Sequence, residues 1–143
     1  MMNTEEKLAL IERHLKAEGA GDIDGACAVY ADDVEHDAVG FPGAPVFGIE
    51  GARAFYTHLT ANIRTTGEEP LHQFVTESGS IVSEANMTAD VIGEFLGIPG
   101  NGRSITFRIL HVFDFDDELI TREQVWLDTG AIVAQLSAPA AGN

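Results

Sequence analysis

The chain has 143 residues, with 8 Lys plus Arg against 23 Asp plus Glu and a formal charge of −15, a length that suits one domain burying roughly two-thirds of its unfolded surface. The acid excess repels phosphate backbones and anionic membranes, and no apolar run approaches the ~20 residues of a membrane span, so nucleic acid and membrane are not expected partners. The single Cys27 excludes an internal disulfide and a Cys-rich metal site, and Met1 to Glu6 carry acids where a secretory signal needs bases, so a cytoplasmic location is expected.

Asn3 followed by Glu6 forms a capping-box-like start, and Leu8, Ile11 and Leu15 share one stripe, which predicts a first helix over Thr4–Gly19. Asp22 caps a second helix whose apolar side is Ile23, Ala26, Val29 and Tyr30, ending near Asp32, with Cys27 as a small core residue. A short strand follows at Val34–Val39. Gly40, Pro42, Gly43, Pro45 and Gly48 then make a loop. Ala52, Phe55, Tyr56, Leu59 and Ile63 define a third helix, closed by Thr65 to Pro70.

From Leu71 the period becomes two, with strands expected at Leu71–Glu77, Ile81–Phe95, Arg103–Asp116 and Leu119–Asp128, joined by short turns into an antiparallel meander. Helices followed by strands argue for an α+β fold. The expectation is a cone of three helices on one face of a curved antiparallel sheet that encloses an apolar pocket. It is one domain over residues 1–136, and the Ala, Pro and Gly of 137–143 are expected to fray.

A buried strand position normally takes an aliphatic or aromatic residue, so a titratable group there has a partner, meets water or performs chemistry. His111 alternates with Ile105, Phe107, Ile109, Phe113 and Phe115 on the apolar face of its strand. It is either a satisfied core histidine or a proton carrier. On the last strand Ile120, Arg122, Gln124, Trp126 and Asp128 oppose Leu119, Thr121, Glu123, Val125 and Leu127, and neither row is cleanly apolar. Trp126 beside Asp128 would desolvate a carboxylate and raise its pKa toward that of a base, whereas the plain reading has Asp128 starting a turn at Thr129-Gly130. His36 and Asp37 point to opposite faces, so only one enters the cavity. His14 lies at the edge of the first helix's stripe, and Tyr30 and Tyr56 lie on core faces. No His-x-His or His-x-x-x-His pair anchors a metal site, so none is expected.

The chain resembles the nuclear transport factor 2-like superfamily, and within it the ketosteroid isomerases and the SnoaL-type polyketide cyclases. The stretches that carry the resemblance are Ala20–Gly25 through Tyr30–Asp33, His36–Gly40 with Gly51–Tyr56, and Gly93–Pro99 with Gly102-Arg103. Trp126-Leu127-Asp128 followed by Gln135-Leu136 adds to it. The resemblance to the isomerases implies Asp37 as the carboxylate that moves a proton between carbons, with Tyr56 supporting an oxyanion site; His14 and His111 stand where that family has a tyrosine and a protonated acid. The resemblance to the cyclases implies Asp128 as the acid/base of an aldol-type ring closure. This sequence departs from the cyclases at Pro99-Gly100-Asn101-Gly102, where Pro-Thr is common.

The expected activity is therefore cofactor-independent proton transfer on an apolar carbonyl compound of polyketide or steroid type. Asp37 or Asp128 serves as base, His111 and His14 stabilise the enolate, and Tyr30, His36, Phe55, Tyr56 and Trp126 contact the substrate. A noncatalytic small-molecule-binding protein of the same fold is the alternative, and epoxide hydrolysis involving Arg108 or Arg122 ranks below it. The resemblance also implies a homodimer formed through the outer sheet face.

Overall fold

Asn3 opens helix α1 (Thr4–Gly19): its side chain accepts the Glu6 N–H at 2.8 Å, satisfying one of the otherwise free amides of the first turn. This computed structural model describes residues 1–139. α1 buries Leu10, Ile11 and His14. Asp22 caps α2 (Ile23–Cys27) through the Gly25 N–H. α2 is shorter than its apolar pattern suggested, because Tyr30 already begins β1 (Tyr30–Ala38). After the Gly- and Pro-rich turn, β2 (Val46–Phe47) leads into α3 (Gly48–Asn62), which buries Ala52 and Tyr56 one turn apart.

α3 passes into β3 (Ile63–Val75) without a loop, since Ile63 is at once the helix cap and an extended residue. The segment 65–70, expected to close the helix, is thus strand, and Ile63, expected on the helix face, begins it. Pro70 is tolerated there because β3 is an edge strand, and register shifts at Thr65/Gly67 and Pro70/His72 absorb the irregularity. β4 (Ile81–Val91) is followed by a small hairpin, β5 (Glu94–Phe95) and β6 (Ile98–Pro99), then by β7 (Ser104–Phe115) and β8 (Ile120–Leu127).

The main sheet has the order β2-β1-β8-β7-β4-β3. Every pairing in it is antiparallel except that of β1 with β8, which is parallel, so the sheet is mixed rather than a pure meander. A fourth helix not expected from the sequence, α4 (Thr129–Ser137), packs Ile132 and Leu136 against β7 and its neighbours. Gln135 of α4 exchanges two hydrogen bonds with the Thr106 backbone where β8 no longer reaches, and Arg103 donates to the carbonyls of Gln135 and Leu136 at the helix end. Ser137 therefore belongs to a helix rather than to a frayed tail; residues 140–143 of that expected tail lie outside the described residues.

The core forms two clusters. One joins α1, α2 and α3 to the sheet through Ile11, Tyr30, Val34, Tyr56, Phe113 and Ile120. The other gathers Ala89, Ile105, Phe107, Ile109 and Ile132. Between helices and sheet lies a hollow.

Candidate active site

The hollow is a cavity of about 310 Å³ walled by apolar side chains such as Leu15, Phe55, Met87, Phe107, Ile109 and Val125. Its polar lining includes His36, Tyr56, His111 and Glu123, with Glu18 and Glu68 also contributing. β7 delivers His111 by simple alternation: Ile105, Phe107, Ile109, His111 and Phe113 are all buried while Ser104, Thr106 and Arg108 are exposed. β8 delivers Glu123 less simply. Thr121 is an extra residue between the Ile120–Phe115 and Arg122–Asp114 pairs, so Ile120 and Glu123, three apart, both turn inward. On β1, Val34, His36 and Ala38 face in, and Glu35 faces out to bond Arg122 at 2.9 Å.

Glu123 is the centre of the site and is 1% exposed. The Tyr30 hydroxyl donates to its Oε1 at 2.7 Å and the Tyr56 hydroxyl to its Oε2 at 3.1 Å. His14 Nε2 lies 3.2 Å from Oε1, and His36 Nε2 lies 3.5 Å from Oε2. Burial alone would raise the pKa of this carboxyl, but the His14 charge and the His14 and His36 hydrogen bonds hold it well below the usual carboxylate range. It is an anion at neutral pH.

The hydrogen positions follow from these partners. His14 Nδ1 is 2.7 Å from the Ala26 carbonyl, which only accepts, so Nδ1 carries a hydrogen. Burial opposes charge on this ring, yet Glu123, with lesser help from Glu18 and Ala26, outweighs it and raises the His14 pKa to about 9. His14 is therefore an imidazolium that donates from both nitrogens. With the Tyr56 proton committed to Glu123, the Tyr56 oxygen accepts from His36 Nε2 at 3.0 Å. With Nε2 engaged by Tyr56, Nδ1 is the free ring nitrogen of His36, and that buried atom has no hydrogen-bond partner among the described residues.

His111 differs from the other imidazoles. Its ring stacks on Phe113 with centroids 5.4 Å apart, and its Nε2 is 3.9 Å from Glu123 Oε2, beyond hydrogen-bond length. It is 9% exposed and makes no hydrogen bond to the described residues. Burial, only partly opposed by Glu123 and reinforced by the neighbouring imidazoles, lowers its pKa to about 4, so it is neutral in ordinary buffers. Glu18, whose side chain is 22% exposed, is pushed up by burial to about 7 against the pull of His14.

The residues singled out from the sequence divide in two. His14, Tyr30, His36, Tyr56 and His111 converge on Glu123, and Phe55 joins them as an apolar wall, its ring 4.4 Å from His36. Asp37, Asp128 and Trp126 do not join them. Asp37 opposes Gln124 on the other face of β1, because His36 takes the inward position. Asp128 is exposed and caps α4, its Oδ1 accepting the Ala131 N–H at 3.1 Å. Trp126, 37% exposed, lies in the outward row of β8. Neither Asp37 nor Asp128, expected as the base, lines the cavity, whereas Glu123, to which the sequence reading gave no role, stands at the centre of the cluster. One signal for it was present: Glu123 shares its strand row with Val125 and Leu127. Among the described residues no group of three or more His, Cys, Asp or Glu is arranged to hold a metal ion, and no helix is long and apolar enough to cross a membrane.

The pattern of the SnoaL-like domain matches residues 11–123 of the chain. Solved structures with the same fold include a candidate polyketide cyclase from Xanthomonas campestris pv. campestris, at 24% identity over 95% of this chain and 100% of that one, with a TM-score of 0.79. A candidate SnoaL-like polyketide cyclase from Jannaschia sp. is 20% identical over 98% of this chain and 99% of that one, with a TM-score of 0.80. An LEH-like epoxide hydrolase of M. tuberculosis is 18% identical over 93% of this chain and 86% of that one, with a TM-score of 0.72. No curated protein matches the chain.

Proposed function

The chain belongs to the SnoaL-like domain family of the NTF2-like superfamily, and from that premise we propose that it catalyses cofactor-independent proton transfer at carbon beside the carbonyl of an apolar substrate, by isomerisation or aldol-type ring closure on a compound of polyketide or steroid type. The reading is carried by one observation: a neutral imidazole, His111, without a hydrogen-bond partner among the described residues, lines an apolar cavity with a buried carboxylate 3.9 Å away. Its lone pair takes the proton from the α-carbon while the C–H electron pair moves into the enolate. The imidazolium so formed is stabilised by Glu123, and low polarity strengthens that attraction. His111 then returns the proton to a second carbon, completing isomerisation, or to the alkoxide formed when the enolate closes a ring.

In this scheme Tyr30, Tyr56 and the His14 imidazolium keep Glu123 charged and in place. Phe55 and Tyr56 contact the substrate. The expected homodimer would cover the outer sheet face, where Trp126 is exposed.

The test uses 2-tetralone in heavy water, with deuterium at its α-carbons followed by NMR. The wild-type chain should incorporate deuterium faster than buffer, and His111→Phe and Glu123→Gln should each slow the enzymatic rate about a hundredfold. Unchanged rates in both variants would sink the mechanism. A noncatalytic binding protein is the second reading, favoured by how fully Tyr30, Tyr56, His14 and Glu123 satisfy one another; tight binding without deuterium uptake selects it. Epoxide hydrolysis has less support, since Arg108 is 59% exposed and Arg122 bonds Glu35 on the outer face.

A further inference from the structure

A second hollow, of about 650 Å³, lies beside the first, between the 41–44 turn, α3 and the β5–β6 hairpin. The two share His36, Phe41, Phe55, Leu59 and Phe95 as walls. His36 sits at their junction, 1% exposed, with its Nε2 bound to Tyr56 and its Nδ1 buried without a partner among the described residues. A buried polar atom in that condition forfeits its hydration for nothing, and folded proteins retain few of them. Phe55 is half-buried, lines both hollows, and lies against this imidazole with ring centroids 4.4 Å apart. Of the shared aromatic walls it is the one whose ring is in contact with His36.

We infer that the two hollows are lobes of one ligand site parted by Phe55, and that His36 Nδ1 accepts a hydrogen bond from a hydroxyl or N–H group of an apolar ligand that spans both. Donor bookkeeping leaves Nδ1 as the nitrogen open to a ligand: Tyr56 gives its proton to Glu123, so Nε2 is the nitrogen that donates to the Tyr56 oxygen. Walls of Phe, Leu and Ile suit a flat aromatic or alicyclic body on either side of that donor. The buried Glu123 anion lining one lobe and Glu94 lining the other favour a neutral ligand over an anionic one, and Arg64, which also lines the first lobe, is already paired with Asp90 at 2.8 Å. The inference rests on the cavity being the ligand site but not on the proton-transfer step, and its readout is binding, so it fails or stands independently of deuterium exchange.

Calorimetric titration of the full chain with 2-naphthol and with naphthalene tests the acceptor. The wild-type protein should bind 2-naphthol about tenfold more tightly, and His36→Phe should erase the preference. In the unsubstituted protein, 2-naphthol should also shift the ¹⁵N resonance of His36 Nδ1, a measurement that holds even if the variant folds poorly. The lobes are tested with 6-phenyl-2-naphthol: Ala54→Trp, placed in the second hollow, should weaken this longer probe about tenfold while leaving 2-naphthol unchanged. Equal binding of naphthol and naphthalene, a preference that survives His36→Phe, or an unmoved Nδ1 resonance overturns the acceptor role. Indifference of the longer probe to Ala54→Trp overturns the joined lobes.

Discussion

His14 and Glu123 form an ion pair sealed inside the protein, Nε2 to Oε1 at 3.2 Å with side chains 0% and 1% exposed. Because the folded His14 pKa is about 9 against 6.5 for the free group, the folded state holds this proton more tightly. The resulting stability, on the order of 3 kcal/mol for the pair, is fully present below pH 6.5 and lost as pH rises through 9. Urea denaturation between pH 6 and 10 should show that decline in the wild-type chain and little of it in His14→Gln.

Removing one member of such a pair strands the other without its counter-charge. Glu123→Gln should cost about 3 kcal/mol at pH 7. The double variant His14→Gln/Glu123→Gln should lose less than the sum of the single losses, a coupling measurable by a double-mutant cycle. Strict additivity would mean that the two groups do not interact.

Opposite behaviour is expected of His111. Its folded pKa, about 4, lies below 6.5, so folding expels its proton and stability declines as pH falls from 6.5 toward 4. His111→Phe should flatten that part of the acid profile. Where exchange of 2-tetralone is measured, its rate should be level above pH 5 and fall near pH 4.

Glu18 titrates in the reverse sense to an ordinary paired acid. With a folded pKa raised to about 7 from 4.5, it weakens the fold as pH climbs from 4.5 through 7 and throughout the range above. Glu18→Gln should therefore raise the melting temperature at pH 8 and leave it nearly unchanged at pH 4.

Asp37→Asn and Asp128→Asn should leave deuterium exchange intact, since neither carboxylate lines the cavity. Asp128→Ala should lower stability by about 1 kcal/mol through loss of the α4 cap. A variant of either position without exchange activity but with normal melting would contradict this arrangement.

Much of this was legible in the residues. The stripe of α1, the Ala52–Tyr56 face of α3 and the inward row of β7 that carries His111 follow from periods of 3.6 and two, and the folded chain has them. The choice between His36 and Asp37 was also encoded: His36 alternates with Val34 and Ala38, whereas Asp37 alternates with Asp33 and Glu35. Glu123 was harder, because the Thr121 bulge breaks the parity relating it to Ile120, and a bulge depends on the partner strand's register rather than on local pattern. The parallel β1–β8 pairing joins segments far apart in the chain, and nothing local specifies it. α4 stayed hidden because Thr129-Gly130 reads as a turn until Gln135 and Arg103 are seen to anchor the helix.

Pairing the first long strand with the last also decides when the site comes into being. Tyr30 and Glu123 are 93 residues apart, and bringing such distant points together costs about 4 kcal/mol of chain entropy before any contact is rewarded. Because β1 meets the rest of the sheet through β8, the β1 residues Tyr30 and His36 are not held beside His111 of β7 in a nascent chain that has emerged only through β7. Only the arrival of β8 joins them, so maturation of the pocket should coincide with completion of the sheet.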